Sequence, residues 1–479
     1  MLKNIWVLLI LLICTRSFAA QSIWVKSTQE RIKKMIAATH IPSKELGIWI
    51  GYEKGVHKDA LFVHNADKKF IPASLSKVVT AVVTLKKLPL NHKFKTQIYT
   101  SAKIQKGVLK GDLYLKGGGD PIFTSESMWE LVNNFTRSGI SKIDGNIIVD
   151  DKFFDSERFA LDREDTRVDR AYNAPVGAMS FNWNSVNVYV RPGKNIGDPV
   201  KLVADPQSEY IKVINKAVTL KGSAKTIRVS RVIDPSRSGD TILVAGGLGI
   251  LHDEVVVYKN ITQPDYWSGY QLKEFLRQRR ITVTGEIKTG KVPSQADLAA
   301  ENESLPLAVS IAAMLKFSNN FVAEMLTKNM SADINQIPGS IINGLTIIRQ
   351  YLEHNIGLAA NNYSFVNPSG LTRENVFRPV DLGKVLNFAK DDFTIYPEFL
   401  GSLPVAGTDG TLKDRMNGTD AEGWVRAKTG MLTGVLGLAG YAGRQNGNEL
   451  TFVFMFNGEP KRMTLAARLF DHLAELLVK

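Results

Sequence analysis

Among the 479 residues there is a single cysteine, Cys14, and it falls in the apolar N-terminal segment. A chain trimmed after that segment has no disulfide and no catalytic thiol, so any nucleophile must be an oxygen or an amine. The seven histidines never form His-Glu-x-x-His, which together with the missing thiols argues against a zinc site. The glycine run "GGGDP" at 117–121 lacks the Gly-Lys-Ser/Thr ending of a phosphate loop and reads as a tight turn. No metal or organic cofactor is expected, and no nucleic-acid-binding motif is present.

Long apolar runs are also scarce. The longest, "IWVLLILLI", has nine residues, is preceded by Lys3 and ends well short of the roughly 18 needed to cross a bilayer. Followed by the small-x-small pattern Ser17-Phe18-Ala19, it reads as a secretory leader, residues 1–19, cleaved near Ala19 so that the mature chain is periplasmic. Lipidation at Cys14 is the minor alternative, disfavoured by the bulky Ile13. Loss of Lys3 and Arg16 lowers the formal charge from +13 to +11. In an exported chain this basic surface suits peripheral contact with an anionic membrane or wall polymer, or simply keeps the protein soluble.

What is present is a globular composition, 44% hydrophobic and 22% charged, in a chain long enough for two or three domains. "ELGIWIGYEKG" and "DALFVHNADKKF" read as two strands joined by a short glycine-containing turn, and "GVLGLAGYAG" and "ELTFVFMFNG" as two more near the other end. A last helix follows, with Leu465, Leu469, Phe470, Leu473 and Leu477 expected on one face. Strands from both ends are expected to share one antiparallel sheet flanked by helices. Between about Lys95 and Gly285 the texture changes to short β-like runs with glycine-rich turns, which predicts mainly β modules inserted into the first domain.

Ser74 and Lys77 lie three apart at the start of an apolar helix that Pro89 ends. A serine hydroxyl is a weak nucleophile until a base takes its proton, and a neutral lysine beside it supplies one if burial and nearby cations lower its pKa. An N–H at a helix start is also an available oxyanion donor. The plainer reading is a helix-capping serine with a solvated lysine. Against it, this is the only Ser-x-x-Lys in the chain, and the helix is too apolar to leave a face in water.

Ser318-Asn319-Asn320 sits in a polar break between two helical stretches, where the Ser318 hydroxyl can relay a proton and the Asn320 amide can hold a substrate carbonyl or the lysine. The rivals Ser180-Phe181-Asn182 and Ser185-Val186-Asn187 fall in the β-rich insert and read as strand and turn residues. Lys-Thr-Gly occurs twice, at 288–290 and 428–430. Only Lys428, Thr429 and Gly430 precede the C-terminal strands and helix of the expected catalytic sheet, so the first copy is read as a strand-end turn. In that place a cation and a hydroxyl face a cleft, and a glycine permits close approach.

The order Ser-x-x-Lys, Ser-x-Asn, Lys-Thr-Gly is the signature of penicillin-binding proteins and serine β-lactamases. With "GDLYLKGGGDP", "YNAPVGAMSFNWNSVNVYVRPG", "NPSGLTRENVFRP" and "LPVAGTDGTLKDR", and with 241 positions from Lys77 to Ser318, the sequence resembles D-alanyl-D-alanine carboxypeptidases of the penicillin-binding protein 4 type over nearly the whole mature chain. The resemblance implies an α/β (α+β) fold: a discontinuous serine transpeptidase/β-lactamase-like domain at 20–94 and 286–479, an inserted domain II at 95–165 and 256–285, and a β domain III at 166–255. It implies Ser74 as acylated nucleophile, Lys77 as its proton acceptor, Ser318 and Asn320 as the second motif, and Lys428 and Thr429 as anchors of the terminal carboxylate. Peptidoglycan stem peptides are the implied substrate and β-lactams the covalent inhibitors. Met431 departs from the serine or threonine usual after Lys-Thr-Gly, although its N–H remains available as a second oxyanion donor. A β-lactamase is disfavoured by the chain's length and by the absence of Glu-x-x-Leu-Asn. A DD-endopeptidase acting on cross-links, and a catalytically idle wall-binding protein, are the alternatives.

Overall fold

The computed structural model describes residues 24–51, 60–160, 163, 169–233, 238–335 and 338–479. The expected leader and the turn joining the first two strands lie outside the described residues. Strands from the two ends of the chain form one five-stranded antiparallel sheet in the order Val425–Leu432, Val435–Gly443, Glu449–Asn457, Leu46–Ile50, Phe62–His64. Both of its faces are covered, which explains the unbroken apolar run of Glu449–Asn457. Alternation sends Val453 and Met455 into one core and Phe452, Phe454 and Phe456 into the other.

On the second face lie a helix over residues 24–38, which the sequence reading missed, and the C-terminal helix Met463–Val478. Leu469, Phe470, Leu473 and Leu477 are buried there, but Leu465 faces solvent and Ala466 takes the inward position, because a helix stripe runs 466, 469, 470, 473. On the first face the helices Ser76–Lys87, Leu307–Lys316, Asn320–Asn335, Ile341–His354 and Pro379–Asp391 pack as a lobe. Every residue from Ser76 to Leu85 is buried. A helix apolar all round lies inside its domain, and burying each of its valines contributes about 1.5–3 kcal/mol.

The insert builds a second five-stranded sheet, Ile287–Thr289, Ile147–Asp150, Leu113–Gly117, Lys95–Thr100, Asp297–Glu303, flanked by helices Ser125–Thr136 and Pro264–Gln278. Beyond it stand two three-stranded sheets built from residues 185–260. Two boundaries expected from sequence are moved by strand pairing. Ile287–Thr289 and Asp297–Glu303 hydrogen-bond to insert strands, so 286–303 is not part of the catalytic sheet. Val255–Asn260 pairs with Ser185–Arg191, so it lies with the outer sheets.

Candidate active site

Ser74 is held in a short 3-10 turn, Ala73–Leu75, and the α-helix begins only at Ser76. The turn is strained: Ala73 has φ of +47°, a left-handed conformation that non-glycine residues rarely adopt. It is clamped by Gly370, at φ +77°, where a Cβ would come within 1.9 Å of the Ala73 carbonyl oxygen. That glycine lets the loop carrying Ser369 lie directly against the turn.

Lys77 is fully buried and makes three contacts: Ser74 Oγ at 3.0 Å, Asn320 Oδ1 at 2.6 Å and the Ser369 carbonyl at 2.6 Å. Two of these partners, the amide and backbone oxygens, can only accept. A neutral amine spends its two N–H donors on them and turns its lone pair toward the Ser74 hydroxyl hydrogen. Burial, reinforced by the charge of Lys428, holds the Lys77 amine well below the usual lysine range, with the Glu324 carboxylate opposing the shift.

Glu324 lies one turn beyond Asn320, is completely buried, pairs with Arg163 from the insert and is 3.4 Å from Ser369 Oγ. Asn320 Nδ2 donates to the Tyr172 carbonyl at 3.0 Å, so the second motif is also held from the insert. Of the two partners left open for Asn320 by sequence, the side chain engages the lysine.

Ser318 occupies the break between Leu307–Lys316 and Asn320–Asn335 with φ of +56°. Its Oγ accepts from Lys428 Nζ at 2.8 Å, and the same amine donates to the Thr429 carbonyl at 2.7 Å. Lys428 is buried, which brings its pKa down to about 7. Thr429 Oγ1 donates to Thr411 Oγ1 at 2.8 Å. The loop bearing Thr411 is fixed to the second motif's helix by Lys316, which bonds Asp409 at 2.5 Å and the Leu403 carbonyl at 3.0 Å. At Gly430 a Cβ would stand 2.6 Å from the Pro72 carbonyl, so glycine permits the strand's approach to the serine turn. Met431 is exposed.

The structure therefore brings Ser74, Lys77, Ser318, Asn320, Lys428, Thr429 and Gly430 together. Of the rivals, Ser180 is buried against the Gly177 carbonyl and Lys288 is solvated on the insert, whereas Asn182, Ser185 and Asn187 line the cleft beyond Ser318 without joining the contacts of Lys77 and Lys428. Sequence reasoning missed Thr411, Glu324, and the carbonyls of Ser369 and Tyr172. Thr411, Ser369 and Tyr172 lie in stretches already noted for their resemblance, but a carbonyl acceptor carries no residue signature. Among the described residues no group of three or more His, Cys, Asp or Glu could hold a metal ion, and no helix is long and apolar enough to cross a membrane.

A serine beside a buried lysine at the junction of an antiparallel sheet and a helical lobe is an arrangement suited to acylation of the serine. The model of the D-Ala-D-Ala carboxypeptidase 3 (S13) family matches residues 28–475, and the chain belongs to that family. It is 32% identical over 428 residues to the D-alanyl-D-alanine carboxypeptidase of Actinomadura sp. (strain R39), covering 86% of this chain and 77% of the relative. The crystal structure of penicillin binding protein 4 from Haemophilus influenzae is similar at a TM-score of 0.77 and 25% identity, covering 91% of this chain and 96% of that one. The same protein complexed with a β-lactam matches at a TM-score of 0.71 and 24% identity, covering 90% and 96%.

Proposed function

We propose that this serine-type D-Ala-D-Ala carboxypeptidase acts on peptidoglycan stem peptides through an acyl-enzyme on Ser74. The single observation carrying the reading is the contact set of Lys77, whose buried amine stands 3.0 Å from Ser74 Oγ with Asn320 Oδ1 and the Ser369 carbonyl each at 2.6 Å. Lys77 takes the proton as Oγ attacks the carbonyl of the penultimate D-alanine. The N–H groups of Ser74 and Met431 receive the oxyanion. The C–N bond breaks, and the leaving amine takes its proton back from Lys77 through Ser318. Protonated Lys428, with Thr429, grips the terminal carboxylate and so aims the scissile bond. Water then cleaves the ester, giving its proton to Lys77 and returning Ser74 to its hydroxyl form.

The same acyl-enzyme supports covalent inhibition by β-lactams. It also supports DD-endopeptidase action, for which a cleft of about 490 Å³ opening beyond Ser318 gives room for a leaving group larger than D-alanine. The catalytic unit would comprise the terminal-strand sheet and its helices, with the inserted sheets as separate modules, in a chain exported to the periplasm. Its basic surface suits peripheral contact with an anionic membrane or wall polymer. Fluorescent penicillin should label the protein and not its Ser74→Ala variant; absence of label, or label surviving in the variant, overturns the reading. Weighing the products of defined muropeptides separates the two activities, since shortening of cross-linked dimers alone would leave only the endopeptidase.

A further inference from the structure

The cleft beyond Ser318 lies between the second-motif loop and the insert, and its volume falls in the range of small-molecule sites, about 300–1,000 Å³. Its far wall carries Trp183 and Tyr258, both exposed. Trp183 is displayed at a conformational cost, for Asn182, Trp183 and Asn184 have consecutive φ values of +46°, +52° and +52°. Asparagine tolerates this region, but a bulky tryptophan in it is an outlier.

The turn is pinned from both sides. Asn184 donates to the Pro175 carbonyl at 2.8 Å and to Ser180 Oγ at 2.9 Å, while Asn182 Oδ1 accepts from Ser125 N at 3.0 Å and its Nδ2 donates to Ser125 Oγ at 3.0 Å. Such anchoring would ordinarily seat an indole in a core. Here it holds the indole in solvent facing the catalytic loop, and strain maintained around an exposed aromatic points to a ligand.

The lining specifies the chemistry. Among the described residues that form it, Glu126 is the one charged group, and its carboxylate accepts from Thr124 Oγ1 at 2.6 Å. Among the described lining residues no cation waits for the free carboxylates of a stem peptide. Aromatic faces among asparagine, serine and threonine side chains instead suit a neutral ring that has C–H faces, hydroxyls and an acetamido group. Peptidoglycan supplies that ring on the same molecule: a sugar about four residues from the scissile bond lies within about 15 Å of it along the extended peptide. Resting on the proposed action at Ser74, we infer that this cleft is a saccharide subsite in which Trp183 and Tyr258 hold an N-acetylated sugar of the glycan strand bearing the stem peptide. A sugar so held raises the local concentration of its own peptide at the serine.

The test compares kcat/KM for a stem peptide ending in D-Ala-D-Ala with and without its N-acetylated disaccharide, and titrates a peptide-free N-acetylglucosamine tetramer against tryptophan fluorescence. The wild-type enzyme should favour the disaccharide-bearing peptide by about tenfold. Trp183→Ala and Tyr258→Ala, on separate elements, should each bring that ratio to within about twofold of one, with Trp183→Phe keeping most of it. The tetramer should quench the wild type and not Trp183→Phe. A wild-type ratio near one, a ratio that survives both alanine variants, or equal losses on both substrates, which would make the groove a peptide site, overturns the inference. Quenching in a protein that penicillin fails to label would support the subsite and remove the role of Ser74, so the two failures are distinguishable.

Discussion

Two identical tripeptides, Lys288-Thr289-Gly290 and Lys428-Thr429-Gly430, both begin on edge strands of five-stranded sheets, yet only one packs against the turn that carries Ser74. In the insert, Ile287–Thr289 runs parallel to Ile147–Asp150, and the Lys288 side chain is half exposed, with only Glu286 at 3.8 Å for company. In the catalytic sheet the strand runs under the serine turn, and Lys428 is wholly enclosed between it and Ser318. Local sequence and edge position are shared, so the difference lies in what covers the edge. A covered ammonium loses its water, and this brings Lys428 to a pKa of about 7, where it can hold a substrate carboxylate and still be influenced by its surroundings.

The comparison breaks most visibly on removing each amine. Lys428→Ala should lower the second-order rate of acylation by fluorescent penicillin about 10²–10³-fold, as expected for loss of a charged group aimed at the reacting molecule. Lys288→Ala should stay within about twofold, as for other exposed surface positions. Equal effects would mean that the two strands have been assigned the wrong roles.

Stability should separate the same pair with a defined sign. Lys428 has a folded pKa of about 7, below the roughly 10.4 of an unfolded lysine, so the unfolded chain binds more protons between those values. The buried amine therefore costs stability in full below about pH 7, and the cost fades as pH rises toward 10.4. Relative to wild type, Lys428→Met should be favoured at pH 6 and should lose about 2–4 kcal/mol of that relative advantage by pH 10 in denaturant titrations. Lys288→Met, at a half-exposed position, should stay within about 0.5 kcal/mol of wild type.

The glycines sharpen the contrast further. A methyl at Gly430 meets the rigid Pro72 carbonyl at 2.6 Å and would push the strand from the serine turn, whereas one at Gly290 meets only Ile148 Cγ2, a side-chain methyl, at 2.9 Å. Misplacement of a substrate by a fraction of an ångström is expensive, so Gly430→Ala should slow acylation about ten- to thirtyfold. Gly290→Ala should leave the rate unchanged and alter stability by at most about 1 kcal/mol. A harmless Gly430→Ala would show that the strand need not approach the turn so closely.

The same contrast marks how far sequence reaches. Ser74, Lys77, Ser318 and the second Lys-Thr-Gly were legible because side-chain identity and order along the chain carry their chemistry. The first two strands were legible from alternation and the C-terminal pair as apolar runs joined by a polar, glycine-containing turn. The allegiance of 286–303 was not, since pairing of Asp297–Glu303 with Lys95–Thr100 joins segments some two hundred residues apart and leaves no local trace. The helix over 24–38 was overlooked beside the expected leader, although Trp24, Val25, Ile32, Met35 and Ile36 pack into the second core. The carbonyls of Ser369 and Tyr172, which hold Lys77 and Asn320, belong to backbone that any residue could supply.

Met431 and its counterpart Lys291 follow the two tripeptides and set the smallest expected effect. Along a strand, alternate side chains project to the same face, so Met431 shares its face with Thr429 and points away from the face of Lys428 and Gly430. It is 69% exposed, so replacing its thioether removes little buried surface near Ser74. The group proposed to act from this position is the backbone N–H, which Met431→Thr retains. The penicillin acylation rate of Met431→Thr should therefore stay within about threefold of wild type, as should that of Lys291→Thr. A change above tenfold confined to Met431→Thr would mean that the side chain bends over the cleft during acylation, and the departure from serine or threonine would then tune β-lactam selectivity at this edge strand.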